Sequence, residues 1–424
     1  MRRRFLINIA VSDFVSLVVG VVVASMLVFQ KPLPWQAVPG IWPSLAALFV
    51  GGGVGTYISA RSHARAAPRP TYGRAVWVVG FALATTAATI LGTRAYFSRP
   101  FLGSVAALWF GLAIAHRWVK RWRPWSQPLV LVTAEKDLAE DLYNAPHAEI
   151  LDVLDPGGYD VPGRYPEGTV LAVDQRSVLS EETAQFVSAF NRAGRPVDSF
   201  IDVYEEHTGR IPIVHLMEGW ELTTPWQQTG IYEQFKRPIE LVLVAVTSVV
   251  WIPLSLLLAL LVRIDSPGPA IFRQERVGRY GKSFTLYKFR SMVVNAEVDG
   301  PRQTTVGDER LTRMGNIMRK YRVDELPQLW NVLKGDLSLV GPRPEQRIFV
   351  DDYAERIPFY TNRHRVRPGV TGWAQVSFGY ADDEVATIEK LSYDLYYVKH
   401  VSPWLDLQIL GKSVWTVLSG FGAQ

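Results

Sequence analysis

Cysteine is absent from the chain. Disulfides, thiolate metal sites and cysteine nucleophiles are therefore excluded. Nothing follows about compartment, because there is no thiol for the surroundings to oxidise or reduce. Charge is scarce as well: Asp, Glu, Lys and Arg make up 20% of the 424 residues, against 48% for the hydrophobic types. That balance is too apolar for an ordinary cytosolic protein, and the length accommodates two or three domains. What charge there is sums to +5, with a pI near 9.2. This suits anionic partners, whether phospholipid headgroups, nucleotides or nucleic acid.

Long apolar runs, by contrast, are plentiful. Phe5 to Phe29, Ile41 to Ala60, Ala75 to Thr93 and Phe101 to Val119 each approach the roughly 20 residues that a bilayer core requires, and the pattern predicts four transmembrane helices within residues 1–123. The first starts at Arg2, Arg3 and Arg4 and contains Asp13. It is too long for a signal-peptide core and lacks a small-residue cleavage site, so it is expected to stay attached. None of the four runs shows a clear internal ion pair or repeat, which disfavours a transporter. Arg61, Arg65, Arg69 and Arg74 fill the second loop, and Arg117, Lys120, Arg121 and Arg123 close the fourth run. Translocating cations is disfavoured, so the N-terminus, the second loop and everything after Arg117 are expected in the cytoplasm.

Residues 124–225 change character. Short β-rich runs such as Leu129 to Val132 and Val170 to Val173 alternate with helical stretches such as Ser180 to Ala193, predicting a cytoplasmic α/β (Rossmann-like) layer domain. A dinucleotide site needs a glycine-rich turn after the first strand, and Thr133, Ala134, Glu135 and Lys136 stand there instead. Regulation, packing and dimerisation remain open as its role.

Ile239 to Val262 is long enough to span, yet Lys236 and Arg237 precede it and Arg263, Arg273, Arg276 and Arg279 follow. A crossing would place one cationic cluster outside. Pro253 removes a backbone donor near the middle, where the chain can bend back. Residues 238–262 read as a re-entrant helix-break-helix or a proline-kinked span.

Chemistry concentrates in the final domain, residues 226–424. Gly281-Lys282-Ser283 mimics the end of a P-loop, but Arg276 replaces the first glycine and no clear strand precedes it. It reads as the turn of a β-hairpin between Ala270 to Arg273 and Phe284 to Phe289. The informative stretch runs from Met318 to Pro344. Asp324 reads as an N-cap, followed by Glu325, by Pro327 in the first turn, and by a helix with Leu326, Leu329, Trp330 and Leu333 on its apolar face, ending near Gly335. Adjacent carboxylates at the positive end of a helix suit a carboxylate-bound metal or a phosphate. The cluster Arg319, Lys320 and Arg322, or a divalent cation, must offset their repulsion if both are buried. Gly341-Pro342-Arg343-Pro344 forms a rigid turn that offers a guanidinium fork. Lys288, Arg290, Arg365 and Arg367 add cations on separate segments that could converge on a diphosphate. Arg310 to Arg322 and Trp404 to Leu418 read as helices with apolar faces suited to a membrane surface, the second equally to a core.

D-E-L-P-Q-L-W-N-V-L-K-G-D-L-S-L-V-G-P-R-P (Asp324 to Pro344) and R-P-G-V-T-G-W-A-Q-V (Arg367 to Val376) resemble the bacterial sugar transferases, from about Phe235 onward. The preceding helices and α/β domain resemble the long-form members. The resemblance implies a membrane protein with an N-terminal four-helix transmembrane bundle, the cytoplasmic α/β domain, and a mostly α catalytic domain with a re-entrant membrane helix broken at Pro253. It implies transfer of a sugar-1-phosphate from a UDP-sugar to undecaprenyl phosphate at the cytoplasmic face of the bacterial inner membrane. That step yields UMP and initiates exopolysaccharide, capsule or O-antigen synthesis. Asp324 would be the nucleophile of a covalent phosphosugar-aspartate intermediate. Glu325 would bind metal or activate the acceptor, Mg²⁺ would be held at the pair, and Lys288, Arg319 and Arg343 would grip phosphate groups, with Arg290 and Arg367 expected beside them as phosphate ligands on their charge. The resemblance favours UDP-glucose or UDP-galactose as donor. Inner-membrane lipid is the expected surroundings, a homodimer the expected assembly, and nucleic acid is not expected. Two positions depart from the family pattern: Ile252, where serine is common, and Glu240, where aspartate is usual. The rivals are a membrane scaffold, which would not need the acidic pair, and a nucleotide-sugar dehydratase or epimerase, which would need the missing glycine fingerprint.

Overall fold

Helices occupy each of the four N-terminal apolar runs: α1 (Arg2–Phe29), α2 (Trp42–Arg61), α3 (Tyr72–Thr93) and α4 (Arg99–Trp122). The computed structural model describes residues 2–61, 72–94, 98–122, 125–158, 165–213, 216, 230–294, 296, 308–378 and 384–419. Arg65, Arg69 and Arg123 lie outside the described residues, as do the side chains of Arg2, Arg3, Arg4, Arg61, Arg74 and Arg121. The chain forms two compact units, Met1–Val203 and Tyr204–Gln424.

In the first unit, Leu17 and Val21 of α1, Leu45 and Leu48 of α2, Val78 and Ala82 of α3, and Val105 and Trp109 of α4 form one core. A Cβ on Gly51 would stand 1.9 Å from Thr85 Oγ1, so glycine is what lets α2 and α3 meet. Phe14, Leu27, Val50, Leu91 and Trp118 face outward, an apolar surface suited to lipid. By length and composition, three helices among the described residues can cross a membrane: Ile9–Ala37, Arg99–Lys120 and Tyr232–Asp265. Val78–Thr93 is a shorter apolar helix.

The expectation that these helices lack an internal ion pair is wrong. Asp13 of α1 meets Arg117 of α4 through two hydrogen bonds of 2.5 and 2.6 Å, with His116 Nε2 2.9 Å from its Oδ1. Both Asp13 and Arg117 are buried. Asp13 is an isolated acid in sequence, and its partner stands 104 residues later, where it reads as one more cytoplasmic cation.

The remainder of this unit is a parallel sheet ordered β2-β1-β3-β4, made of β1 (Gln127–Val132), β2 (Ala148–Leu154), β3 (Val170–Val173) and β4 (Val197–Ser199), with α5 (Lys136–Asn144) and α6 (Glu181–Arg192) as crossovers. Ser180 caps α6 by accepting from Thr183 N–H. At the ends of β1 and β3, Thr133 Oγ1 donates to Asp174, which is clamped by Arg176 at 2.7 and 2.8 Å. An ion pair thus stands where a dinucleotide fold would carry its glycine turn. α7 (Phe200–Thr208) follows.

The second unit is built around α8 (Gly230–Asp265), which stays helical through both Pro238 and Pro253. The expected interruption at Pro253 is absent from the hydrogen-bonded secondary structure. Trp251 Nε1 nevertheless donates to the carbonyl of Val244, seven residues back, at 3.0 Å. Its middle is apolar and exposed, with Val246, Val249, Val250, Leu256 and Leu260 all outward. β5 (Ile271–Val277) and β6 (Ser283–Phe289) pair antiparallel, with Gly281 and Lys282 in the turn as expected and Ser283 opening β6. Then come α9 (Arg313–Lys320), α10 (Gln328–Lys334), β7 (Ser338–Val340), α11 (Arg347–Arg356), β8 (Gly369–Thr371), α12 (Trp373–Ser377), α13 (Glu384–His400) and α14 (Pro403–Ser419). β7 and β8 pair in parallel.

Removing one partner of a buried ion pair costs about 3–5 kcal/mol because the other charge is stranded. Arg117→Ala is therefore expected to lower the thermal midpoint of the detergent-solubilised protein sharply, whereas Asp13→Asn combined with Arg117→Met restores much of it. Equal loss in the single and double variants, read by thermal unfolding, would show that the pair does not join α1 to α4.

Candidate active site

The acidic pair sits in a tight turn, not on a helix end. Arg322 adopts the left-handed conformation (φ 53°), Val323–Glu325 form one 3₁₀ turn, and α10 begins only at Gln328 with Pro327 before it. The reading of Asp324 as a helix N-cap is thereby corrected: the N-cap position of α10 is held by Pro327, and Asp324 lies in the turn before it. A 3₁₀ turn presents successive side chains about 120° apart, so the two neighbouring carboxylates point to different partners.

Glu325 is buried, and its Oε1 accepts from Arg343 at 2.8 Å. Asp324 is 7% exposed and, among the described residues, its carboxylate has no hydrogen-bond partner. The two acids consequently titrate apart. Burial, then the neighbouring Glu325 charge, raises Asp324 to about 6 against the pull of Lys288, Arg319 and Arg343. Burial also opposes ionisation of Glu325, but the Arg343 and Lys288 charges outweigh it and hold that carboxyl low. Burial, and then the like charge of Arg343, lowers the Lys288 ammonium to about 8. The Glu325 charge raises Arg343. Like-charged acids with separated affinities are the arrangement expected where one must react and the other must stay ionised.

Each cation reaches this place through a different element. Lys288 lies on β6, which is tied to α10 by Asn331: its Nδ2 donates to Thr285 O at 2.7 Å and its Oδ1 accepts from Tyr287 N–H at 3.1 Å. Arg319 lies on α9, and its Nε donates to Ser291 Oγ at 2.9 Å. α9 can approach that closely because of Gly315, where a Cβ would stand 1.9 Å from Ser291 O. Arg343 lies in the Gly341–Pro344 turn. Its carbonyl accepts from Arg363 at 2.9 Å, and Arg363 is itself paired with buried Asp394 at 2.7 Å. Glu345, just beyond, is held by Lys390 at 2.6 Å and lies 3.5 Å from Arg276.

Lys288, Arg319 and Arg343 thus join the acids, whereas Arg290 and Arg367 do not. The Arg290 guanidinium caps the end of α8, donating to Pro267 O at 2.9 Å and to Ser266 O and Oγ at 2.6 and 2.8 Å. Arg367 lines a small pocket with Glu233, Lys236, Glu240, Ser338, Val366, Tyr397 and Val401, a lining that includes neither acid. Arg365 Nε donates to Asn362. Sequence reading missed Arg363, Asp394 and Asn331, and with them the buried set in which Lys236 meets Val340 O at 2.8 Å and Asp406 at 2.9 Å. The only signal was polar residues standing where helical spacing calls for apolar ones.

For a divalent cation the site offers Asp324, free of protein donors among the described residues, and the Glu325 oxygen not taken by Arg343. No cluster of three or more His, Cys, Asp or Glu exists among the described residues. Mg²⁺ suits such a pair, since it binds one or two carboxylates and completes its shell with water and substrate phosphates.

Similarity to known proteins agrees with this geometry. A family profile described as Bacterial sugar transferase matches residues 231–420. Over 249 residues the chain is 46% identical to a UDP-N-acetylgalactosamine-undecaprenyl-phosphate N-acetylgalactosaminephosphotransferase of Aeromonas hydrophila, covering 58% of each chain. A UDP-glucose:undecaprenyl-phosphate glucose-1-phosphate transferase of Caulobacter vibrioides is 43% identical over 43% of this chain and 70% of its own. An exopolysaccharide production protein of Rhizobium leguminosarum bv. phaseoli is 44% identical over 37% of this chain and 82% of its own.

Because its affinity for a proton is raised, Asp324 favours the fold fully only below its ordinary value near 3.8, and that contribution is lost as pH rises through about 6. Asp324→Asn, which cannot ionise, is expected to raise the thermal midpoint at pH 7.5 in chelator-containing buffer. The shift corresponds to about 1–3 kcal/mol and shrinks towards pH 4. A variant less stable than wild type at pH 7.5 would mean that the carboxylate is stabilised in place.

Proposed function

This chain belongs to the bacterial sugar transferase family, and from that premise we propose that it transfers a sugar-1-phosphate from a UDP-sugar to undecaprenyl phosphate, releasing UMP. The observation that carries the reading is a buried Asp324 carboxylate without a hydrogen-bond partner, ringed by Lys288, Arg319 and Arg343, beside a Glu325 already tied to Arg343. An unsolvated, unbonded carboxylate is a nucleophile, and the three cations are what a diphosphate needs.

In the proposed first step a carboxylate oxygen of Asp324 bonds to the β-phosphorus of the donor. The bond from that phosphorus to the bridging oxygen breaks, and its electron pair leaves on UMP. In the second, an oxygen of undecaprenyl phosphate attacks the same phosphorus and the acyl phosphate bond breaks, returning the Asp324 carboxylate. Lys288, Arg319 and Arg343 neutralise the phosphate oxygens that would otherwise repel the attacking carboxylate. Glu325 keeps Arg343 aimed at them. Asp324 and Glu325 would hold Mg²⁺, which would supply charge neutralisation on the diphosphate. The names of the relatives support both acetamido sugars and glucose as donors, so the donor class is a UDP-hexose or its N-acetyl form.

The site belongs at a membrane surface. Val244 of α8 packs with Leu286 of β6, and Leu258 and Val262 pack with Phe289 of the same strand. Leu286 and Phe289 are about 10 Å apart along a strand, so the apolar stretch from Val244 to Val262 shares cores at both of its ends with one short strand. This supports a re-entrant α8 bent about Pro253, with α1 to α4 as the membrane bundle and the catalytic body on the cytoplasmic side. There it meets a soluble donor and a lipid-borne phosphate, as initiation of a surface polysaccharide requires.

The test is UMP release by purified protein with undecaprenyl phosphate and Mg²⁺ from UDP-glucose, UDP-galactose and UDP-N-acetylgalactosamine. One donor is expected to yield UMP and lipid-linked sugar, with Asp324→Asn yielding neither and chelation stopping both. Activity in Asp324→Asn equal to wild type would overturn the mechanism. The dependence of kcat/KM on pH is expected to be bell-shaped. It rises as Asp324 ionises, at a pH below about 6 where Mg²⁺ shares the carboxylate, and declines as Lys288 loses its proton near 8. A profile flat from pH 5 to 9 would exclude both assignments.

A further inference from the structure

α13 carries two sets of contacts on two faces. Lys390, Asp394 and Tyr397, spaced four and three apart, face the Arg343 segment. Lys390 holds Glu345, Asp394 holds Arg363 and through it the Arg343 carbonyl, and Tyr397 donates to Val340 O at 3.1 Å. A second face, through Glu389, Ser392, Lys399 and His400, is taken up by residues 204–213. Arg210 meets Glu389 at 2.6 Å, and Ile211 N–H donates to Ser392 O at 3.1 Å. Glu205, only 3% exposed, accepts from Lys399 Nζ at 2.8 Å on each oxygen and lies 3.0 Å from His400 Nε2. Residues on one helix that differ in this way by angle cannot move independently, so what grips one face sets the other.

The same short segment has a second attachment. Trp373 Nε1 donates to Gly209 O at 2.7 Å. Gly209 has φ +69°, and a Cβ there would stand 3.1 Å from the Trp373 ring, so glycine is required both for the conformation and for the contact. Trp373 comes just after β8, whose partner β7 leads into Gly341 and Arg343. Ile211 and Ile213 are buried in a core with Val277, Val350, Leu391 and Leu395. These residues precede the family-matched segment 231–420, and no step of the transfer uses them.

We propose that residues 204–213 are a positioning element of the transferase site, acting through α13 and Trp373 to hold Arg343 against Glu325. The inference rests on the transferase reading. It assigns a function in the reaction to chain that lies outside the matched segment. Glu205 is its key residue, since an acid buried between two basic partners on α13 fixes that helix more firmly than apolar packing alone.

The experiment uses the full chain and measures kcat and KM for the UDP-sugar in Glu205→Ala and in Trp373→Phe, which removes the indole N–H together with the part of the ring that packs on Gly209. Each is made alone and in an Arg343→Lys background, with thermal midpoints recorded beside them. In the otherwise wild-type chain each change is expected to lower kcat about tenfold with KM within about twofold. In the Arg343→Lys background the further loss falls below about twofold, because the contact being positioned is already impaired. Unchanged kcat in both variants overturns the proposal. So does an equal fold-loss in the two backgrounds, which is the outcome of general destabilisation. Wild-type protein that releases no UMP from any donor instead overturns the transferase reading, and the inference with it.

Discussion

The hydrogen bond between Arg343 and Glu325 is the constraint around which the second unit is arranged. Two adjacent carboxylates cannot both be buried and ionised without compensation. Arg343 resolves this by hydrogen-bonding Glu325, which leaves Asp324 without a hydrogen-bond partner among the described residues, so that burial and the Glu325 charge outweigh the pull of Lys288, Arg319 and Arg343. The site therefore holds one acid that stays charged and one whose proton affinity is raised, from two residues that are neighbours in sequence. Separating them takes the 3₁₀ turn started by left-handed Arg322, and fixing the guanidinium takes the ion pair between Arg363 and Asp394.

That arrangement is costly in buried charge, and the surrounding elements show how it is offset. Asn331 locks β6 to α10 so that Lys288 stays in place, and Gly315 lets α9 close on Ser291 so that Arg319 does. Glycine recurs where backbones cross: a Cβ on Gly341 would stand 2.3 Å from Arg367 O, and one on Gly372 2.3 Å from Gly341 O. The Gly-Pro-Arg-Pro turn and the Arg-Pro-Gly-Val-Thr-Gly segment are thus one packed unit, with Arg343 projecting from it and the Arg367 side chain directed to a separate pocket. A cation in a shared motif is not by itself a ligand for the same phosphate.

Much of this was legible in the sequence. The apolar runs became α1 to α4 and α8, the two β-rich runs became β1 and β3, and the Gly-Lys pair of the basic Gly-Lys-Ser stretch became a hairpin turn, because local pattern governs these features. The acidic pair and Arg343 lie within the compound motif, and Lys288 and Arg319, named from other segments, are brought beside them. Long-range pairing was illegible. Asp13 looked like a blemish until Arg117 was seen beside it. Arg290 looked like a phosphate ligand because nothing in its neighbourhood announces that Ser266 and Pro267 hold it. Asp324 looked like an N-cap because Asp before Pro and a short helix has the right composition, and only the backbone at Arg322 shows that the helix starts later. The docking of residues 204–213 on α13 depends on partners nearly 200 residues away, which no local pattern encodes.

The division of labour between the two acids is tested most directly by mixing wild type, Asp324→Asn and Glu325→Gln with the UDP-sugar and Mg²⁺ in the absence of any lipid acceptor. Asp324 as nucleophile predicts about one equivalent of UMP per wild-type chain, an intact mass increased by one sugar phosphate, and a mass unchanged in Asp324→Asn. UMP that forms only when undecaprenyl phosphate is added, with no gain in mass, would contradict it and point to direct attack by the acceptor.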